Sequence, residues 1–457
     1  MDNGDYTARM TRLIRLMRII GNDTQQCEVK ECRRHISTTM AETLSAFSNG
    51  NGGYVILGLS EKAGFTPVEG FDARAMQESL SQVCEKLTPP VRPVIVTCPF
   101  EGANLVFAVI DEMLPREKPC YITAVGPHGG SYIRTGDGDR KMTEYEVARL
   151  LEEQRQPEHD IAIVEEATTD DLDPAALRAL LECERTQHPH VFAHRDDTDM
   201  LLDLRVIRPA DDGCQRPTLA GLMALGHYPQ KFFPRLNVTI AVYPGTSRDE
   251  VLAGEARLVA SRTITGPIPT MIADAVDALA ELTARDPDPT AEDGSGAEDG
   301  HPAYPRLVLR EVIANALVHR DYSQDALGTP VIVEVFTDRI EVTNPGGLYG
   351  AVSKKRLTRE ALTSARNAFL VALLQSTPCP GCGTVLGNDG TGYMRIGAAL
   401  RRELREPVHI DNSLDRFRIV IPGRNFTAHA DATADDLSGR RGPAPARGCG
   451  PGTGRRG

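Results

Sequence analysis

Within REVIANALVHRDY, residues 310 to 322, Glu311, Asn315 and His319 recur every fourth position, a spacing that puts them in one row along an α-helix. Val312, Ile313, Ala316 and Leu317 supply the apolar side. Such a polar row is either a solvated face or a wall turned to a ligand. Asn and His are mediocre helix formers where a surface would favour Lys or a second Glu, so the row needs its surroundings to decide it. Further along, Asn344-Pro345-Gly346-Gly347 follows a strand, and its glycines allow the backbone to approach something flat or anionic. Gly390-Thr391-Gly392 opens another helix, where bare N–H groups and the positive dipole end can hold phosphate. Cys379 and Cys382 have the spacing of a zinc knuckle, but no second pair follows and a loop with two chance thiols is the simpler reading.

The elements that position these residues fall into three blocks. Residues 1–154 read as a compact α+β domain. A basic amphipathic helix sets Met10, Leu13, Ile14 and Met17 on one side and Arg9, Arg12, Arg15 and Arg18 on the flank. A helix over 37–48, the strand YVILGL, a helix near 73–87, two further strands, SYIRTGDG and a helix from Thr143 to Gln154 complete it. Asn49, Gly50, Gly52 and Gly53 make a tight turn between helix and strand. Residues 155–283 read as a mixed α/β connector, and 284–302 as an acidic disordered linker poor in apolar residues. Residues 303–422 alternate helix, two strands, helix, Gly-rich turn, helix and strand, and 423–457 read as a disordered tail.

The net charge of −12 is unevenly spread. Residues 1–150 hold 17 Lys and Arg against 19 Asp and Glu, so a local nucleic-acid face is compatible with an acidic chain. The absence of Trp and the 5% aromatic content argue against base-stacking platforms. Without a membrane-spanning apolar run or a secretory leader, and with ten scattered cysteines, the chain reads as cytoplasmic with reduced thiols and no membrane partner.

The order of E-x-x-x-N-A helix, N-P-G-G turn and G-T-G helix resembles the ATP-binding domain of gyrases, heat-shock chaperones and histidine kinases. In detail it is similar to the variant, sometimes called RecG-like, at the C-terminus of bacterial proteins assigned as transcriptional regulators; Arg366-Asn367 match that variant's RN pair. The resemblance implies an α/β sandwich that binds ATP with magnesium. Asn315 would be the metal ligand, Glu311 the base that orients water, and His319, Asn344, Gly346, Gly347, Arg366, Asn367, Gly390, Thr391 and Gly392 would face nucleotide. Hydrolysis would be weak. No G-x-x-x-x-G-K-[ST] is present, so a helicase motor is not expected.

E-V-K, AFSNGNGG and YIRTGDG resemble the Schlafen AlbA-type domain over about residues 8–153. The resemblance implies DNA binding, with RNA as the alternative, and Lys30, Arg33, Arg34, Arg134, Arg140 and Lys141 are the candidate phosphate contacts. The same fold in animal Schlafens carries an acidic metal site that cuts RNA; here it would fall on Asp23, Glu28 and Glu61. The middle segment also matches the connector usually found between these two domains. The chain therefore reads as a homo-oligomeric ATP-binding, DNA-binding transcriptional regulator, with a metal-dependent defence nuclease switched by ATP as the rival.

Overall fold

The structure is a computed structural model that describes residues 3–33, 35–136, 138–283, 304–357, 364–379, 383–387 and 390–423. Arg34, Cys382, the acidic segment 284–302 and the tail from 424 lie outside them.

The N-terminal block is built on a four-stranded sheet whose order is Cys27–Lys30, Gly53–Leu57, Ala103–Ile110, Val94–Phe100. The first pair is parallel and the others antiparallel. Alternation along the strands sorts side chains to two faces. Val55, Leu57, Val106 and Ala108 pack under the helices Met40–Asn49 and Ala73–Cys84, through Leu44, Phe47, Met76 and Leu80. Ile56, Leu105 and Phe107 pack under the long first helix, Asn3–Ile20, through Met10, Ile14 and Met17. The basic amphipathic helix therefore buries its apolar stripe on its own domain. Asn49 is the hub of this block: its amide donates to the carbonyls of Cys120 and Tyr132 and its oxygen accepts from the Cys120 N–H, so the turn that follows it is anchored at three backbone points.

The remainder does not divide where the sequence suggests. A six-stranded sheet runs Ala260–Ile264, Val238–Val242, Val331–Val335, Arg339–Pro345, Arg416–Pro422, His409–Asn412. Its first two strands come from the segment read as connector, and Val238–Val242 pairs in parallel with Val331–Val335. A boundary at 283/303 would thus cut a continuous sheet. The cause is the crossover: a parallel pair needs a long intervening segment, here containing the helices Ile268–Leu282 and Arg306–His319, which pack on each other. Val333, Val342 and Ile419 lie in register across three strands and belong to one core with those helices and with Leu219–Leu225 and Ala368–Ser376. On the other face, Glu334 and Glu341 stand directly opposite each other. Like charges so placed repel, and each is compensated: Arg248 pairs with Glu334, and Arg339 and Arg418 pair with Glu341. No helix among the described residues is long and apolar enough to cross a membrane.

The last helix of the N-terminal block, Glu144–Glu153, is set by a full capping box in which Thr143 and Glu146 satisfy each other's backbone donors. It docks directly on the C-terminal block. Met142, Val147 and Leu150 pack with Leu414, Arg149 pairs with Asp321 at 2.5 Å, and Glu153 pairs with Arg366 at 2.8 Å.

Candidate nucleotide site

The helix Arg306–His319 is buried on almost every side: Val308, Leu309, Val312, Ile313, Ala314, Ala316, Leu317 and Val318 are all in the core. Glu311, Asn315 and His319 are partly exposed, and all three line a cavity of about 210 Å³. The polar row therefore faces a concave pocket and not a flat surface. Eight residues at 1.5 Å each separate Glu311 from His319 by about 12 Å, so the row spans two chemically different ends.

At the Glu311 end, the Asn315 amide donates to the Glu311 carbonyl at 2.7 Å, which leaves its oxygen as the acceptor for a ligand. Gly392 abuts both residues; a Cβ there would lie 3.0 Å from the Glu311 carboxylate. The helix Gly392–Arg402 thus begins at the polar row, and Gly390 and Thr391 line the cavity with it. Two cations meet the Glu311 carboxylate, Arg310 at 3.1 Å and Arg395 at 3.7 Å. Arg310 also donates to the carbonyls of Thr384 and Val385, tying the segment before the GTG turn to the helix. Arg395 escaped the sequence reading, although a cation in the first turn of a helix opposes the dipole and signals a nearby anion.

At the His319 end, the Asn344 amide donates to the Pro345 carbonyl, and Asn344, Gly347 and Tyr349 contribute to the wall. Gly346 lies behind that wall with φ +85°, a conformation that favours glycine. Arg366 lines the cavity yet is only 2% exposed. Burial and the Arg366 charge lower the His319 pKa to about 4, so the imidazole is neutral at physiological pH. Between the ends, Val312, Ala316, Leu348, Val352, Phe417 and Ile419 make an apolar slot. Asn367 sits elsewhere: it is buried and donates to the carbonyls of Val318 and Arg320, where the central helix stops, so its role is to close that helix.

In the N-terminal block the three acidic candidates form no metal-holding group among the described residues. The two oxygens of Glu28 are taken by Lys30 at 2.5 Å and Arg134 at 2.7 Å. This donor set does not fit a catalytic cation, since its central carboxylate is already neutralised by two protein cations. Arg134 corrects a second expectation. Its side chain is 5% exposed, pairs also with Asp139, donates to the carbonyls of Thr24 and Gln25 and stacks over Phe47, so it is a fold element and not a phosphate contact. Lys30 is occupied by Glu28 and Arg140 by Glu146, while Arg33 and Lys141 are exposed.

Burial and the neighbouring Glu28 raise Asp23 to about 7, with Glu61 adding to the effect and Arg134 opposing it. A carboxyl with a higher pKa folded than unfolded makes the folded state the better proton binder. Its stabilising contribution is complete below the ordinary carboxylate value and is lost as pH rises toward about 7. Asp23→Asn should therefore gain stability relative to wild type progressively between about pH 4 and pH 7, and thermal melts across that range should show the two curves diverging. A pH-independent difference would show that Asp23 has an ordinary pKa.

Three family models match the chain. Residues 23–143 match "Schlafen, AlbA_2", residues 148–239 match a domain of unknown function (DUF8451), and residues 328–421 match "Putative ATP-dependent DNA helicase recG C-terminal", the HATPase_c_4 model. No curated protein matches. Among solved structures, a protein from Corynebacterium diphtheriae is 18% identical, with 91% of this chain and 81% of that chain covered and a TM-score of 0.40. The N-terminal domain of a "Putative ATP-dependent DNA Helicase RecG-related Protein" from Nitrosomonas europaea is 26% identical over 29% of this chain and 92% of that one, with a TM-score of 0.24.

Proposed function

We propose that this chain, which carries an N-terminal Schlafen AlbA_2 domain and a C-terminal HATPase_c_4 domain, binds ATP with magnesium in the cavity beneath the helix Arg306–His319 and uses nucleotide occupancy to modulate binding of DNA by its N-terminal block. The observation that carries the reading is the partly exposed Glu311, Asn315, His319 row, turned into a cavity whose rim is made by the NPGG and GTG segments. The apolar slot suits a flat base. The Gly392 helix start and Arg395 suit phosphate oxygens.

The protein groups also fit a magnesium ion. The Asn315 oxygen is left as acceptor by the amide's bond to Glu311, and hard oxygen donors of this kind bind magnesium together with nucleotide phosphates. When bound, the ion would neutralise charge on the phosphates. Glu311 would accept a hydrogen bond from water and orient it, and the arginines beside it hold the carboxylate in place. Neutral His319 would offer one donor and one acceptor without adding charge.

On the N-terminal block, Arg12, Arg15, Arg33 and Lys141 are exposed cations available to phosphate. Each phosphate contact adds about 0.9 to the slope of log affinity against log salt for duplex DNA. Titrations of the full chain with duplex DNA should show a steep slope, flattened by about two units in Arg33→Ala/Lys141→Ala, and an affinity that shifts when saturating Mg-ATP is added. Salt-independent binding would remove the nucleic-acid part of the reading. Identical isotherms with and without ATP would remove the coupling.

A further inference from the structure

One wall of the cavity is held by a residue from the opposite end of the fold. The Nη2 of Arg366 donates to Glu153 at 2.8 Å and to the Gly347 carbonyl at 3.0 Å. Glu153 ends the last helix of the N-terminal block, 213 positions away in sequence, and is itself buried. The Nε and Nη1 of Arg366 are buried and bonded to no protein atom, although the residue borders the cavity. An arginine stays protonated at any accessible pH, and unpaired buried donors are costly. The guanidinium is held by the two bonds of Nη2 and by the Tyr349 ring, 5.6 Å away, which lines the same wall.

Gly346 reinforces the point. A Cβ at that position would sit 1.9 Å from the Arg366 Nη1, so the backbone has been thinned where the guanidinium passes. A second strut, Arg149 to Asp321, fastens the same helix to the segment that follows the polar row. Arg149 also pairs with the Glu153 carboxylate, at 3.9 Å, so the two struts form one network, and the apolar packing of Leu150 with Leu414 is a contact of this helix outside it.

We infer that Glu153 is a positioning residue of the nucleotide site: it fixes Arg366, which in turn holds the Gly347 carbonyl and so the shape of the cavity wall that Arg366 and Gly347 both line, which makes the last helix of the AlbA-type block part of the nucleotide-binding wall. This rests on the nucleotide reading above. It also supplies a physical route for coupling, because whatever displaces that helix releases Arg366, and whatever engages Arg366 loads the helix.

Calorimetric titration of the full chain with Mg-ATP tests it on wild type, Glu153→Ala, Arg366→Met, their double variant and Leu150→Ala. Glu153→Ala and Arg366→Met should each weaken binding by about tenfold or more, and the double variant should be no weaker than Arg366→Met alone, because Glu153 acts only through Arg366. Leu150→Ala, which loosens the apolar contact of the same helix with the C-terminal block and leaves the Glu153–Arg366 pair in place, should stay within about threefold of wild type, which a general loosening of the interface would not allow. Unchanged affinity in Glu153→Ala, losses that multiply in the double variant, or an equal loss in Leu150→Ala would each overturn the inference while leaving the nucleotide site intact. A wild type that gives no heat with ATP overturns the nucleotide reading itself and this inference with it. Should Glu153→Ala fail to fold by thermal melt, Glu153→Asp, one methylene short of the Arg366 Nη2, replaces it with the same expectations.

Discussion

If the proposed site hydrolyses ATP, Glu311→Gln should lower turnover by about a hundredfold or more and leave ATP affinity within about threefold of wild type. The amide keeps the size of the carboxylate and its place beside Gly392, but it cannot accept a proton from water. Loss confined to turnover identifies a group needed only in the transition state. Asn315→Ala makes the opposite change. Its oxygen is the acceptor left open by the bond to the Glu311 carbonyl, so the variant should lose the magnesium-dependent part of ATP affinity while binding without magnesium is spared. Steady-state phosphate release and calorimetry with and without magnesium separate the two. Equal heats for wild type and Asn315→Ala, or equal turnover for wild type and Glu311→Gln, would move the chemistry off this helix.

Gly346→Val should destabilise the fold by about 3–5 kcal/mol and abolish nucleotide binding together. The position has φ +85°, which strains a β-branched residue, and the new Cβ would lie 1.9 Å from the Arg366 Nη1 and 2.8 Å from the Asp321 Cβ. The guanidinium can yield only by leaving Glu153, and breaking a buried ion pair while keeping the charge is the expensive way to lose it. Denaturant unfolding of the full chain measures the cost. A change under about 1 kcal/mol would show that Arg366 has somewhere else to go. Gly347→Ala provides a comparison, since there the nearest atom to a Cβ would be the Ser413 carbonyl oxygen, at 2.2 Å, and not the arginine.

These residues also show how far sequence can be read. The row Glu311, Asn315, His319 and the glycines at 347, 390 and 392, which line the cavity, could be picked out without coordinates, because helix period and turn chemistry are each local signals. The apolar stripe Met10, Ile14, Met17 was legible for the same reason. Reading Asn367 as a nucleotide contact and Arg134 as a phosphate contact went astray because a donor's partner is not encoded in its type. Both side chains turn inward to backbone carbonyls or carboxylates brought near by folding.

What the sequence determined by itself is therefore most of the main elements, though not the strands Cys27–Lys30, Ala260–Ile264 and His409–Asn412, together with the polar row and the order of the glycine turns, each set by interactions between residues a few positions apart. The tertiary structure alone decided that Val238–Val242 joins the sheet of the C-terminal block across a long crossover, that Lys30 and Arg134 neutralise Glu28, and that Glu153 holds Arg366 at the cavity wall. Those outcomes depend on pairings at large sequence separation, whose loop-closure cost is offset by the burial of the whole core, and no local pattern in the chain marks the partner.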